Sequence, residues 1–195
     1  MDQLRGAAIR YAELGYRVFP CAAAVDPVPL TPHGFKDATD DPQQIEQWWS
    51  RHPRAAIGLA TAGLLVVDVD APPNPWLSDA PEAALQLIAA PTSRTPGGGH
   101  HHLFRRPPDK LWNCTVGQLA PHVDTRTDGG YIVVPPSRRP DGAYRWLEDC
   151  DLDVSPDRLP LPPAWLIERL DALAARTPRT PTVASDASAA NVIPS

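Results

Sequence analysis

The heptapeptide LLVVDVD, residues 64–70, predicts a buried β-strand that ends in two carboxylates. Side chains alternate along a strand, so Asp68 and Asp70 are expected to project from the same face. Two adjacent carboxylates repel each other unless a cation compensates them, and hard oxygen ligands select Mg²⁺ or Mn²⁺. The stretch therefore predicts a divalent-metal site, although a strand end with two solvated aspartates has the same pattern.

Helix and strand patterns alternate on both sides of this strand, which predicts an α+β fold. The elements predicted before it are a helix over residues 2–14, a strand over 16–20, a helix from Asp41 to near Pro53, and a strand within 55–60 that a tight turn at Ala62-Gly63 joins to residues 64–70. Those predicted after it are a helix over 81–90, a glycine loop and strand over 92–106, a hairpin over 122–137 with its turn at Asp128-Gly129-Gly130, a strand over 144–147 and a helix over 162–176.

Length and composition indicate one folded domain. The 195 residues suffice for a single globular core, and apolar periodicity stops near Thr177. We expect the domain to span residues 1–176. Residues 177–195 are small, polar and proline-containing, so we expect a disordered tail or linker there.

Several classes of protein are disfavoured by the bulk composition. The sequence has no run of about 18 apolar residues and no signal-peptide pattern, so we expect a cytoplasmic protein without a membrane partner. The net charge of −5 argues against tight binding of duplex DNA by phosphate neutralisation alone. Cys21, Cys114 and Cys150 lack CxxC spacing, so neither a disulfide scaffold nor a zinc site is expected.

A glycine-rich loop, TPGGG, runs directly into three histidines. Its glycines, Gly98 and Gly99 among them, expose backbone N–H groups and allow a phosphate to approach closely. If the histidines are extended, His100 and His102 face one side and His101 faces the other, so only one face points at the carboxylates. A loop of this kind, followed by histidine and paired with the DxD strand, predicts nucleotide binding.

Asp124 and Arg126 precede the turn of the predicted downstream hairpin. Asp124 would complete a cluster of three carboxylates with Asp68 and Asp70, and phosphoryl chemistry with two metal ions usually needs more than two ligands. Arg126, on the same face of an extended arm, would balance the charge of a triphosphate. Asp128 fits the turn itself, because Asp-Gly is a hairpin signal.

These motifs, in this order, resemble the bifunctional DNA primase/polymerase (prim-pol) N-terminal domain family of the archaeo-eukaryotic primase superfamily. The resemblance covers roughly residues 7–170 and includes GYRVFP, LTPHGFKDAT, the tryptophan pair of the second helix, IGLAT and DGGYIVVPPS. It implies an RRM-like antiparallel or mixed sheet that carries the carboxylates, packed against an N-terminal α/β half and flanked by helices. Residues 1–176 would then be the primase/polymerase catalytic domain.

The resemblance also assigns roles to individual residues. Asp68, Asp70 and Asp124 would bind two Mg²⁺ or Mn²⁺ ions and serve catalysis. His101 matches the histidine that ends a glycine-glycine-any-histidine pattern, formed here by Gly98 to His101, and would contact the triphosphate. Weaker candidates for contacts to nucleotide or template are Lys36, Arg126 and Ser137.

The implied activity is that of a metal-dependent nucleotidyltransferase, a DNA primase or DNA polymerase. It would add NTP or dNTP to a nucleic-acid 3′ end on a single-stranded DNA template or primer-template, in replication or repair. One metal ion would activate the attacking oxygen, and the other would stabilise the pyrophosphate leaving group. A separately encoded helicase is a further partner compatible with the resemblance.

Two other functions compete with polymerase chemistry. A catalytically silent nucleotide- or nucleic-acid-binding module of a replication complex would suit the acidic net charge, but the three carboxylates oppose it. A rolling-circle endonuclease would need a His-hydrophobe-His metal motif through His100 and His102, where this chain has His101 in the middle. It would also need a tyrosine nucleophile, whereas Tyr131 and Tyr144 fall in predicted strands.

Overall fold

The computed structural model describes residues 2–70 and 73–176, and these residues form both α-helices and β-strands. The α-helices are α1 (Asp2–Glu13), α2 (Pro42–Arg51), α3 (Pro81–Ile88) and α4 (Ala164–Arg176). The strands are β1 (Val18–Cys21), β2 (Ala56–Ala60), β3 (Leu64–Val69), β4 (Thr92–Arg94), β5 (His100–Arg105), β6 (Thr115–Ala120), β7 (Val123–Arg126), β8 (Tyr131–Val134), β9 (Arg138–Arg139), β10 (Gly142–Ala143) and β11 (Arg145–Trp146). Short 3-10 helices span Gly34–Asp37 and Pro156–Arg158.

The predicted α+β class is confirmed. The finer RRM-like arrangement stays a prediction, and the tail predicted over residues 177–195 lies outside the described residues.

The strands form two main sheets and a small ribbon, and every named pairing in the described chain is antiparallel. The larger sheet has the strand order β11-β4-β5-β3-β7-β6. The smaller sheet has the order β1-β2-β8, and β9 pairs with β10 in the ribbon. The strand that carries the DxD motif, β3, therefore lies inside the larger sheet, between the two strands that carry the histidines and Asp124.

The side chains of β3 alternate between two hydrophobic cores. Leu64 and Val66 pack with residues of the smaller sheet and of α1 and α2, whereas Leu65 and Val67 pack with residues of α4. All four side chains are almost completely inaccessible to solvent. Slipping the strand by one residue would exchange the two faces, so burial on both sides determines which face carries Asp68.

The helices begin and end at the signals that predicted them. Gly15, directly after the last turn of α1, has a φ of 94°, which glycine adopts at little cost. The Asp41 carboxylate caps α2 by accepting a hydrogen bond of 3.0 Å from the Gln43 N–H. No helix within residues 2–70 and 73–176 combines the length and the apolar character that crossing a membrane requires.

The hairpin predicted over residues 122–137 is wrong, and the two strands predicted on either side of Ala62-Gly63 are present but do not pair with each other. β2 and β3 lie in different sheets although only residues 61–63 separate them, and β7 and β8 lie in different sheets although only residues 127–130 separate them. A glycine turn lets the chain change direction, but it does not specify the strand that will pair with the next segment. β2, β3 and β8 pair with strands that are distant in sequence, and β7 pairs with β3 as well as with its neighbour β6.

The two connections between the sheets lie side by side and are bonded to each other. The Thr61 N–H donates to the Gly130 carbonyl at 3.1 Å, and the Thr61 hydroxyl donates to the Thr127 carbonyl at 2.6 Å. The Gly63 N–H donates to Oδ1 of Asp128 at 2.8 Å. Asp128 thus serves the turn region, as predicted, but it does so by tying one crossover to the other.

Two parts of the observed β-structure have no clear sequence signal. The edge strand β6 has mostly exposed or half-exposed side chains, so it lacks the alternation that marks a half-buried strand. The ribbon of β9 and β10 has two residues in each strand, which is too short for any periodicity. Both elements nevertheless lie next to the motif residues.

Ser137 has a structural role at the end of the smaller sheet. The residue is fully buried, and its hydroxyl oxygen accepts a hydrogen bond of 2.8 Å from the Ile57 N–H of β2. A buried backbone N–H without an acceptor is costly. The hydroxyl therefore completes the hydrogen bonding of β2 just beyond the point where β8 ends.

We expect Ser137→Ala to lower the free energy of unfolding by about 1–3 kcal/mol, because the Ile57 N–H loses its acceptor in a buried position. Urea unfolding would measure the change. The matched control is Ser50→Ala at the exposed end of α2, for which we expect a change within about 0.5 kcal/mol. Equal stability of the two variants would contradict the structural role of Ser137.

Candidate active site

Side chains from three sequence motifs form a row across the larger sheet. Asp68 of β3 is paired in register with His101 of β5 on one side and with Asp124 of β7 on the other. Cross-strand partners project from the same face, so the three side chains share one face of the sheet. Asp70 follows Asp68 by two residues and Arg126 follows Asp124 by two residues, and strand alternation assigns them to this face as well.

The row opens into a cleft with a volume of about 490 Å³. Four of the motif residues line it: Asp68, Asp70, His101 and Arg126. Further lining comes from the smaller sheet and from connecting segments, and it includes Phe35, Tyr131, Arg139 and Tyr144. Carboxylates, a histidine, two arginines and three aromatic rings therefore face one space.

Asp68 is a buried carboxylate with an unpaired oxygen. The residue is 9% exposed, and its Oδ1 atom lies 3.4 Å from Nε2 of His101 but accepts no hydrogen bond from the described residues. Burial raises the pKa of Asp68, but the neighbouring charges of His101 and Arg126 outweigh this effect and lower the pKa overall. A buried carboxylate that remains ionised and keeps an oxygen unpaired is suited to bind a cation.

Asp70 lies at the exposed end of the same strand face. Partial burial, followed by repulsion from the charges of Asp68 and Asp124, raises its pKa above the ordinary value. The ionised pair of Asp68 and Asp70 is therefore held together against its own repulsion. A divalent cation is the natural compensation for such a pair.

Asp124 is engaged with other groups. Its Oδ2 accepts a hydrogen bond of 2.8 Å from Nη2 of Arg126, and its Oδ1 accepts one of 2.9 Å from the Gly117 N–H. Within the described part of the chain, no three His, Cys, Asp or Glu side chains are arranged to hold a metal ion. Asp68 and Asp70 suit a cation as they stand, whereas Asp124 would join them only after it leaves Arg126.

The three histidines face two sides of the sheet, as predicted. His101 faces Asp68 across the strand pair, whereas His102 is buried on the opposite face with its Nδ1 3.0 Å from the hydroxyl of Thr92. Burial lowers the pKa of His102 to about 3. The rings of His100 and His102 stack with centroids 6.0 Å apart. Of the three, His101 is the one that lines the cleft.

Ser93 extends the row beyond His101, and the sequence motifs do not predict it. Ser93 of β4 is the register partner of His101, and its fully buried hydroxyl has no hydrogen-bond partner among the described residues. Nδ1 of His101 is likewise without one. Two unpaired polar atoms on neighbouring strands are unusual in a buried position. Only the β4–β5 pairing, which the sequence does not specify, brings these residues together.

The glycine loop is required by the close approach of β5 to the end of β3. A Cβ atom on Gly99 would lie 2.4 Å from the Val69 carbonyl oxygen and 3.1 Å from Oδ1 of Asp70. Gly98 has a φ of 88°, in the left-handed region that favours glycine. These glycines thus serve the packing of the loop against the end of β3, and their predicted contact with phosphate stays a prediction.

The remaining predicted contacts occupy different positions. Lys36 is exposed on the 3-10 helix Gly34–Asp37, whose Phe35 lines the cleft. Arg126 lines the cleft while it is paired with Asp124. Ser137 is buried and bonded to β2. Roles of these residues in nucleotide or template binding stay predictions.

Four lining residues, three of them aromatic, are not predicted by the sequence motifs. Phe35 and Tyr131 stack with centroids 6.1 Å apart and an interplanar angle of 27°. Tyr144 lies with its ring centroid 6.1 Å from that of His101, and Arg139 is beside Tyr144. These residues come from loops and short strands, where the sequence has no periodicity to place them. The only sequence feature that could have suggested Phe35 and Tyr131 is their position within the GFKDAT and DGGYIVV stretches.

Comparison with known proteins agrees with this geometry. A family model described as "Bifunctional DNA primase/polymerase, N-terminal" matches residues 8–165, which is more than half of the chain and contains every element of the candidate site. A search of curated proteins found no match. The chain therefore belongs to the Prim-Pol family of bifunctional DNA primase/polymerase N-terminal domains.

Proposed function

We propose that the protein is a metal-dependent nucleotidyltransferase that adds NTP or dNTP to the 3′ end of a nucleic acid on a single-stranded DNA template. Membership of the Prim-Pol family supports primase or polymerase chemistry in general. The observation that carries the specific proposal is the row of His101, Asp68 and Asp124 on three adjacent strands, in which His101 and Asp68 line a cleft together with Asp70.

The carboxylates of the row supply the metal-binding part of the proposal. Asp68 and Asp70 would hold a divalent ion first, because Oδ1 of Asp68 is unpaired and the two carboxylates repel each other. Asp124 would join when its ion pair with Arg126 opens. When bound, two Mg²⁺ or Mn²⁺ ions would supply the charge that favours attack by a hydroxyl and departure of pyrophosphate.

His101 and Arg126 supply donors for the nucleotide. His101 lies between Asp68 and Tyr144, and its ring lines the cleft. Release from Asp124 would make the Arg126 guanidinium available to a phosphate oxygen, for which it is a strong charge-assisted donor. The bond-forming step is attack of a primer 3′-hydroxyl, or of an initiating nucleotide, on the α-phosphate. An oxygen–phosphorus bond forms while pyrophosphate leaves.

The aromatic part of the cleft suits a base or a single strand. Phe35 and Tyr131 form a stacked pair at the cleft lining, and Tyr131 is also in edge contact with Phe19. Stacking on aromatic rings is the sequence-tolerant way to hold unpaired bases. It does not require a strongly basic surface, which agrees with the net charge of −5.

The arrangement of the histidines opposes the alternative of a rolling-circle endonuclease. A His-hydrophobe-His metal motif would need His100 and His102 to face an open site, but His102 is buried against Thr92 on the other side of the sheet. The silent binding module remains the second candidate, because Asp124 is paired with Arg126 and no set of three metal ligands is formed in the described residues. Activity measurements distinguish it from a polymerase.

We expect wild-type protein to extend a primer on a single-stranded template with Mg²⁺ or Mn²⁺. We expect the double variant Asp68→Asn/Asp70→Asn to abolish extension, because it lacks the carboxylate charge that would bind the divalent ion. We expect His101→Ala to lower kcat/KM about 10- to 100-fold through loss of a donor to the phosphate. Gel-based extension with NTP and dNTP would measure both. Asp40→Asn and His52→Ala, both at exposed positions, are matched controls. No extension by the wild type under any of these conditions would favour the binding module.

We expect Asp70→Asn to raise the melting temperature in EDTA by about 1–2 °C, because it removes repulsion at a position that solvent partly screens. Added Mn²⁺ should raise the melting temperature of the wild type by mass action and leave the variant nearly unchanged. Thermal unfolding followed by circular dichroism would measure both shifts. A wild type that neither Mn²⁺ nor Mg²⁺ stabilises would contradict the metal site, whatever the result of the extension assay.

A further inference from the structure

Arg139 is a cation of the cleft that none of the sequence motifs contains. It lies on β9, in the short ribbon after the smaller sheet, and it lines the same cleft as Asp68 and His101. Its side chain is 16% exposed, so the guanidinium is enclosed by the protein rather than free in solvent. An enclosed guanidinium needs partners that compensate its charge and accept its hydrogen bonds.

The guanidinium of Arg139 is held in place from two sides. Its Nε donates to Oδ1 of Asp141 at 2.9 Å, and Nη2 donates to the other oxygen of the same carboxylate. Nη1 lies 3.5 Å from the hydroxyl of Tyr144, and the central carbon of the guanidinium is 5.9 Å from the centre of the Tyr144 ring. The bidentate pair and the ring together restrict the side chain to one orientation.

A continuous series of contacts connects Arg139 to the carboxylates. Tyr144, which Arg139 covers, has its ring centroid 6.1 Å from that of His101, and Nε2 of His101 is 3.4 Å from Asp68. Arg139 is thus two side chains away from the atoms that would hold a metal ion. Arg139 and His101 line the same cleft, so one polyanion bound there is placed between them.

The charges of the cleft favour Arg139 over Arg126 as the first contact for a polyanion. Arg126 is paired with Asp124, a carboxylate that the metal site would use. Arg139 is paired with Asp141, which does not line the cleft, so binding of a phosphate does not depend on rearranging a metal ligand. Nη1 has only the long contact with Tyr144 and keeps donor capacity directed into the cleft.

We propose that Arg139 binds the β- or γ-phosphate of the incoming nucleotide, so that the triphosphate extends from His101 towards the β9–β10 ribbon. This inference rests on the proposed function, because it assumes that the cleft accepts a nucleotide. It adds an orientation: the triphosphate runs along Tyr144, and Asp141 positions the arginine without touching the substrate. Phosphates beyond the α-phosphate are thereby recognised by a residue outside the metal-binding strands.

The test compares Arg139→Gln and Arg139→Lys with the matched control Arg138→Gln, which removes the same charge from the neighbouring exposed position of β9. Steady-state primer extension gives kcat and KM for each nucleotide. Competition by the nucleoside mono-, di- and triphosphate of a non-templated base gives inhibition constants for each length of phosphate chain. Melting temperatures of all variants report on folding.

We expect Arg139→Gln to raise KM for the triphosphate about 10- to 100-fold, the range for loss of a hydrogen bond to a charged group, with kcat changed much less. The inhibition constant of the triphosphate should rise in proportion, and that of the monophosphate should stay within about twofold. Arg139→Lys should recover part of the affinity, because it restores a charge without the planar pair of donors. Arg138→Gln should match the wild type.

Other outcomes would overturn the inference without affecting the proposed function. If Arg139→Gln extends primers with an unchanged KM, or weakens mono- and triphosphate equally, the arginine does not contact the terminal phosphates. A lower melting temperature with unchanged KM would assign it to the folding of the ribbon alone. If wild-type protein neither extends primers nor binds the triphosphate, the proposed function itself fails, and that result is recognised before any variant is compared.

Discussion

The need to keep a buried carboxylate ionised is the constraint on which the rest of this structure depends. Asp68 could not occupy its position on β3 in ionised form without compensation, because burial alone raises its pKa. The compensation comes from the neighbouring strands, with His101 on one side and Arg126 on the other. The order β5-β3-β7 is therefore an electrostatic arrangement as much as a hydrophobic one. The apolar residues of β3 determine its register, and that register positions the charges.

The ion pair of Asp124 with Arg126 belongs to the same balance. In the absence of a cation, a third carboxylate next to Asp68 and Asp70 would add to their repulsion, and Arg126 neutralises it two residues along the same strand. The strand therefore carries its own counter-ion for the metal-free state. Binding of a divalent ion would draw the Asp124 carboxylate away from Arg126. Binding of an anionic nucleotide would draw the Arg126 guanidinium away from Asp124 and towards a phosphate. On the proposed function, each event would make the other easier, because each would remove one member of the pair.

The sequence predicted the face of the site better than its surroundings. Alternation along strands is a local property, so it correctly separated His101 from His102, whereas the family resemblance selected His101 as the histidine on the face of Asp68. Partnership between strands is not local, and the hairpin predicted over residues 122–137 failed because the chain crosses between sheets at residues 127–130, as it also does at residues 61–63. For the same reason the sequence could not predict that Arg139 and Tyr144 would line the cleft. Two-residue strands have no periodicity, and only the folded chain brings the ribbon beside His101.

The same distinction explains how an acidic chain can serve an anionic substrate. A net charge of −5 describes the whole sequence, whereas a nucleotide responds to the charges within a few ångströms. In the cleft, Arg126 and Arg139 face the carboxylates of β3, and bound divalent ions would turn the local balance from negative to positive. Charge that arrives with the metal need not be encoded in the chain. On the proposed function the protein can remain acidic overall, because affinity for the nucleotide would depend on the metal ions, and the two arginines would direct the phosphates instead of supplying most of the attraction.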